Sequence, residues 1–245
     1  MPLEIVLNFS FLTDVDMPKI RAILFDLDNT LVDFLQMKEK SCKAAVRAMV
    51  AAGLHMGELE AYEQLIKKYF DVGIESNVAF SEFLRSIGQF DHKILAAAIN
   101  AYLDAKRKCL KPYPNVKPTL RKLQKNGILL LIVTDAPKTK AYQRLIGMGI
   151  EPFFKFVVGF EDTNSLKSTG LPLILALDIV RKELPDLLEE QILMVGDSID
   201  RDIVPARKCG LRTVLSKYGQ KKVALGIEPD FELADFKDLI EICTK

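Results

Sequence analysis

Short runs of wholly apolar residues recur along most of this chain, separated by longer stretches with helical spacing. The runs are Ala22–Phe25, Ile128–Val133, Phe154–Val158, Ile192–Val195 and Leu211–Leu215. A strand that is apolar at every position is buried on both faces, as in a parallel sheet covered by helices. Between the runs, the spacing predicts helices over Val116–Asn126, Lys138–Met148, Pro172–Leu184 and Ile203–Cys209. Gly127, Gly149 and Gly210 follow three of them, as left-handed helix ends require. The expected class is therefore α/β.

After the first apolar run the pattern changes to helices alone. Residues 35–53, Glu58–Phe70, Asn77–Ile87 and His92–Leu110 carry helical spacing without a convincing strand. Lys111-Pro112-Tyr113-Pro114 closes the block, since two prolines break a helix. The expected organisation is a core made of residues 17-32 and 113-245, a four-helix insertion over 33-112, and an N-terminal extension over 1-16.

The extension contains an apolar stretch, Ile5–Leu12, but no basic start, and Asp14 and Asp16 follow it. It is too short to span a bilayer, so neither a signal peptide nor an anchor is expected. Met17-Pro18-Lys19-Ile20 would itself make a natural start. An extra strand, a partner-binding segment and a misassigned start codon all stay open for residues 1–16.

Composition narrows the function classes. Lys plus Arg (34) nearly balance Asp plus Glu (33), so no charge excess points to nucleic acid or a membrane surface. Cys42, Cys109, Cys209 and Cys243 are widely spaced, and with only His55 and His92 beside them a zinc cluster is not expected. A reduced, cytoplasmic setting is the simplest expectation for such cysteine usage.

Chemistry concentrates where apolar runs stop. Ala22–Phe25 runs into Asp26-Leu27-Asp28-Asn29-Thr30, Ile128–Val133 into Thr134 and Asp135, and Ile192–Gly196 into Asp197. In an open parallel sheet, ligands bind at the carboxyl ends of the strands. Alternation along an extended chain lets Asp26 and Asp28 face one pocket. Taken alone, however, the same run is equally a turn with helix-capping chemistry. Asp197, Asp200 and Asp202 place three acids within six residues, a donor set suited to a hard cation such as Mg²⁺. Asp200 also reads as a solvated acid at a helix start. The Thr134 hydroxyl and backbone N–H can hold a phosphate oxygen. Lys167, in a polar loop before an apolar helix, becomes a candidate cation because the neighbouring strands supply acids that need neutralising.

The order DxDxT, strand-Thr, loop Lys and GDxxxxD resembles that of the haloacid dehalogenase superfamily of phosphohydrolases. The likeness covers about residues 20–215, and the helical insertion falls where members with an α-helical cap carry theirs. It implies a Rossmann-like parallel sheet core plus a small four-helix cap domain. It further implies that Asp26 is the nucleophile, forming an aspartyl-phosphate, and that Asp28 is the general acid and then the base. Thr134, Asp135 and Lys167 would form the phosphate site. Asp26, the backbone carbonyl of Asp28, Asp197 and Asp202 would hold Mg²⁺, Asp202 directly or through water. Two departures stand out: Asp135 replaces the usual Asn after Thr134, and Ser168-Thr169-Gly170 follows Lys167 where Pro is usual.

Asp28 also argues against carbon–halogen cleavage, because the dehalogenase members lack this second aspartate. The resemblance therefore implies a phosphatase for small phosphorylated metabolites, glyceraldehyde 3-phosphate and phosphoglycolate being the first candidates. A sugar phosphomutase of the same superfamily is the first alternative, and a catalytically idle binding or regulatory protein the second. Phe34, Met37 and Lys38 follow the first motif closely enough to overhang the pocket, where Lys38 could meet a substrate anion. Equally, they read as helix residues covering the core.

Overall fold

The computed structural model describes residues 19–220 and 227–244. The readings made for residues 1–16 lie outside the described residues. Six strands form one parallel sheet: β1 (Ala22–Phe25), β2 (Leu129–Val133), β3 (Phe156–Val158), β4 (Ile192–Gly196), β5 (Arg212–Ser216) and β6 (Phe231–Leu233). Their order is β3-β2-β1-β4-β5-β6, so β1 lies at the centre between β2 and β4. Phe25 pairs with Ile132 on one side and with Val195 on the other, which brings the carboxyl ends of these three strands level.

Helices cover both faces, as the unbroken apolar strands require. Alternate residues of β1 go to opposite sides: Ile23 and Phe25 join one apolar cluster, Ala22 and Leu24 the other. The first face is packed by α5 (Val116–Lys125), α6 (Lys138–Met148) and α10 (Leu239–Thr244). The second is packed by α8 (Leu171–Glu183) and α9 (Val204–Lys208). A short helix, α7 (Phe160–Thr163), lies between β3 and α8.

Between β1 and α5 come α1 (Phe34–Ala52), α2 (Glu58–Val72), α3 (Ala79–Ser86) and α4 (His92–Cys109). They share an apolar cluster of their own, built from Cys42, Val46 and Met49 of α1, Leu65 of α2, Phe83 of α3 and Ala98 of α4. The predicted glycine stops at 127, 149 and 210 all have positive φ.

Several elements differ from expectation. β3 starts at Phe156, because Glu151–Phe153 winds into a 3₁₀ turn and Phe154 drops into the core. The helix expected over Ile203–Cys209 is preceded by a π-turn over Ile199–Ile203, with Pro205 in the first turn of α9. β6 and α10, both short, went unpredicted.

Candidate active site

Asp26, Thr134 and Asp197 each directly follow the last residue of a strand, and all three are buried at the same edge of the sheet. The Asp26 backbone N–H donates to Val195 O at 2.9 Å, so the nascent loop is still tied to β4. Beyond it the chain turns sharply. Asn29 takes φ +64°, its N–H donates to Val32 O at 2.7 Å, and Leu31 N–H donates to Leu27 O at 2.9 Å. The segment after β5 presses onto this turn. Tyr218 Oη donates to Thr30 O at 2.9 Å, and a β-carbon on Gly219 would stand 1.7 Å from Asn29 O. Only glycine leaves room for that approach. The turn that carries both carboxylates is thus held from two sides.

Lys167 sits in a 3₁₀ turn ahead of α8 and is 1 % exposed. Its ammonium contacts Asp26 Oδ1 and lies 2.5 Å from Asp202 Oδ1. Burial alone would lower its pKa, but Asp202 and Asp26 together hold it above the ordinary lysine value. The remaining oxygens are also engaged: Thr30 Oγ1 donates to Asp26 Oδ2 at 3.0 Å, and Ser198 N–H donates to Asp202 Oδ2 at 3.0 Å. Asp135 turns its carboxylate to the backbone N–H of Lys167, at 2.7 Å. Thr134 Oγ1 accepts from Ala136 N–H at 3.2 Å.

The acids outnumber their cations. Asp26, Asp197 and Asp202 each offer an oxygen within 4.8 Å of the others. Asp197 Oδ1 is buried without a hydrogen bond, and Arg201 Nη2 stands 3.9 Å from it. Burial, followed by repulsion from Asp26 and Asp202, pushes the Asp197 carboxyl up to about 8. Burial also raises Asp202, to about 6, against the opposing pull of Lys167. A buried oxygen-only set with surplus negative charge and an unbonded lone pair fits a hard divalent cation.

Asp28 points elsewhere. Arg144 Nη2 lies 2.8 Å from its Oδ2, while Arg144 Nη1 lies 2.6 Å from Glu75 Oε1 in the loop between α2 and α3. Arg144 is wholly buried, and its guanidinium carbon sits 5.1 Å from the Phe34 ring centroid. Burial pushes Asp28 up to about 7, with Arg144 opposing and Asp26 and Glu75 adding to the rise.

The structure therefore gathers Asp26, Thr134, Lys167, Asp197 and Asp202 at one place, with Asp28 beside them on the side of the helical block. Asp200 is exposed, as its solvated reading expects. Sequence reasoning missed Arg144 and Glu75, and it gave Thr30, the threonine of DxDxT, no role of its own. For Arg144 a signal existed, because it falls on the same face of α6 as Ala141, Leu145 and Met148, all buried. A charge on the apolar stripe of a helix has to find a buried partner. Glu75, in a loop, left no comparable trace.

Comparison with known proteins identifies the family. Residues 23–216 match the haloacid dehalogenase-like hydrolase family. This chain belongs to that family. It is 34 % identical to a glyceraldehyde 3-phosphate phosphatase of Methanopyrus kandleri, over 91 % of this chain and 97 % of the relative. It is 32 % identical to the protein of the same name in Methanocaldococcus jannaschii, over 91 % and 96 %. A phosphoglycolate phosphatase of Aquifex aeolicus is 28 % identical over 91 % and 96 %. Among solved structures, a magnesium-bound protein of Bacillus subtilis described as a HAD-hydrolase superposes with a TM-score of 0.65. At 20 % identity, and with 93 % of this chain and all of that one covered, it supports the fold. Among the described residues, no helix is long and apolar enough to cross a membrane.

Proposed function

We propose that this chain is a Mg²⁺-dependent phosphatase hydrolysing small phosphomonoester metabolites through an aspartyl-phosphate on Asp26. The observation that carries the reading is the buried Lys167 ammonium shared between Asp26 and Asp202 at the strand ends. A carboxylate poised to attack a phosphate dianion faces like-charge repulsion, and a fixed cation beside it relieves that repulsion.

Asp26 attacks phosphorus while the ester oxygen departs on the opposite side. Lys167, the Thr134 hydroxyl and nearby backbone N–H groups hold the non-bridging oxygens. Asp135 fixes the Lys167 backbone and so sets where the ammonium reaches. Asp28, half protonated near neutral pH, gives its proton to the departing alkoxide. It then takes a proton from the water that attacks the aspartyl-phosphate. Asp26 and Asp197, with Asp202 completing the acid set, would hold Mg²⁺, which offsets charge and polarises the phosphoryl oxygens. The four helices α1–α4 serve as the cap, their Glu75 loop meeting the core at Arg144.

The names of the relatives support glyceraldehyde 3-phosphate and phosphoglycolate as first substrates to try. The mutase alternative gains no residue: His55 and His92 are exposed, one bonded through its backbone to Gln89 and the other meeting the Phe90 ring edge to face. The test is phosphate release from these two esters and from p-nitrophenyl phosphate, with Mg²⁺ and with excess chelator. Release should stop with chelator and in Asp26→Asn. Undiminished release by Asp26→Asn would sink the nucleophile assignment, and isomerisation outpacing release would favour the mutase.

A further inference from the structure

The charges above Asp28 are unbalanced in a way that phosphoryl transfer does not use. Lys38 on α1 and Lys106 on α4 lie within electrostatic reach of Glu75 and of Lys140 on α6, and Arg144, one turn after Lys140, contacts Glu75. Arg144 pairs with Glu75 and Asp28, which leaves three lysines without a carboxylate of their own among the described residues.

Lys38 is the most telling of the three. It is 4 % exposed, its Nζ lies 3.4 Å from the Tyr69 ring centroid, and it donates to Tyr102 Oη at 3.2 Å. An aromatic face and a phenol are weak compensation for a buried ammonium, and burial lowers Lys38 to about 8. Lys106 is half-buried and also lowered, first by burial, with Arg144 and Lys140 adding to the effect against Glu75. Lys140 donates to the amide oxygen of Asn77, at 2.8 Å. The buried Nε of Arg144 makes no hydrogen bond. Cations held close together out of water repel one another, so the arrangement costs stability unless an anion joins it.

The place of this cluster identifies the anion. In the phosphatase reading Asp28 faces the departing oxygen, and Arg144 contacts Asp28, so the cluster lies on the leaving-group side of the phosphoryl site. Glu75 sits in a loop rather than a helix, and it presents a carboxylate to Arg144 there.

Building on the phosphatase reading above, we infer that Lys38, Lys106, Lys140 and Arg144 form an anion subsite for the leaving group. It selects phosphomonoesters whose alcohol carries a second anionic group, a carboxylate or another phosphate, over esters with a neutral tail. Glu75 is the internal anion that the substrate's group displaces. An aldehyde tail leaves the three lysines uncompensated, whereas a carboxylate tail provides the charge they lack.

The test compares esters that differ in tail charge alone: 2-phosphoglycolate with glycolaldehyde phosphate, 3-phosphoglycerate with glyceraldehyde 3-phosphate, and 1,2-ethanediol bisphosphate with its monophosphate. The anionic member of at least the carboxylate or the bisphosphate pairs should lead in kcat/KM by tenfold or more, and which pairs respond tells the two tails apart. Lys38→Met and Lys106→Met should shrink that lead threefold or more, through KM. Glu75→Gln should lower KM for the anionic members about threefold, whereas a purely structural Glu75 would raise it. Equal kcat/KM within every pair, or lysine variants that weaken both members alike, would overturn the subsite. Phosphate release from none of these esters would overturn the phosphatase reading instead. In that event, heat protection of Asp26→Asn by 2-phosphoglycolate, compared with glycolaldehyde phosphate, still decides the subsite: equal protection rejects it.

Discussion

Gly196 packs so closely against Asp202 that a β-carbon on the glycine would stand 2.3 Å from the Asp202 carboxyl carbon. The π-turn over Ile199–Ile203 folds the acid back over the end of β4, and the missing side chain makes room for it. From there Asp202 reaches Lys167. Gly196→Ala should push Asp202 away and loosen the lysine, although alanine suits a strand better than glycine does. The expected result is phosphatase activity reduced at least a hundredfold, with the fold retained by circular dichroism. Wild-type turnover in this variant would show that the contact does not set the site.

Lys167 is the only cation in contact with Asp26 and Asp202 among the described residues. Removing one partner of a buried ion pair costs about 3–5 kcal/mol, because the other charge is left uncompensated. Lys167→Met should therefore destabilise the metal-free protein in urea titrations as well as raising KM for every phosphomonoester. Mg²⁺ should restore part of the lost stability by replacing the missing charge. A variant as stable as the parent would mean that these acids are protonated when the lysine is gone, and its stability should then fall steeply as pH rises.

The raised carboxyls also fix the pH dependence of the metal-free fold. Asp28, Asp197 and Asp202 rise from 3.8 to about 7, 8 and 6 in the folded protein. Between pH 4 and pH 8 the folded state then binds more protons than the unfolded one, so stability falls as pH rises. Stability is fully present below pH 4 as far as these groups are concerned, and it is lost progressively up to pH 8. Thermal melts with chelator should show Tm declining from pH 5 to pH 8. Added Mg²⁺ should raise Tm more at pH 8 than at pH 5, since binding requires the ionised acids. A metal effect independent of pH would contradict the assigned carboxylate set.

How much of this was legible in the chain depended on whether one element or several had to be known. Ala22–Phe25 and Ile192–Gly196 announced themselves because both faces of each strand are buried, so every position is apolar. Asp26 and Asp197 followed directly, as acids where those runs stop. β6 stayed hidden: it is three residues long and half-exposed at the sheet edge, so neither its length nor its pattern stands out. The π-turn at Ile199–Ile203 is likewise a local accommodation of Asp202 that helical spacing does not encode. Glu75 lies 69 residues from Arg144, and only the packing of the helical block against the core joins them. Arg144 itself carried a warning in its place on the α6 stripe.

The pairing of Arg144 with Asp28 leads to a test of the acid's role that depends on the leaving group. An alkyl ester departs as a strongly basic alkoxide and needs a proton in the transition state, whereas p-nitrophenolate leaves without one. General-acid help contributes roughly 10²–10⁴-fold. Asp28→Asn should therefore slow hydrolysis of phosphoglycolate by that order while slowing the first turnover of p-nitrophenyl phosphate far less. Without the base, the aspartyl-phosphate should then accumulate and give a burst of p-nitrophenol. Arg144→Gln should show the same leaving-group dependence in weaker form, because it lets the Asp28 carboxyl swing without removing it. Equal losses on both esters in Asp28→Asn, with no burst, would move the proton-transfer role to another residue.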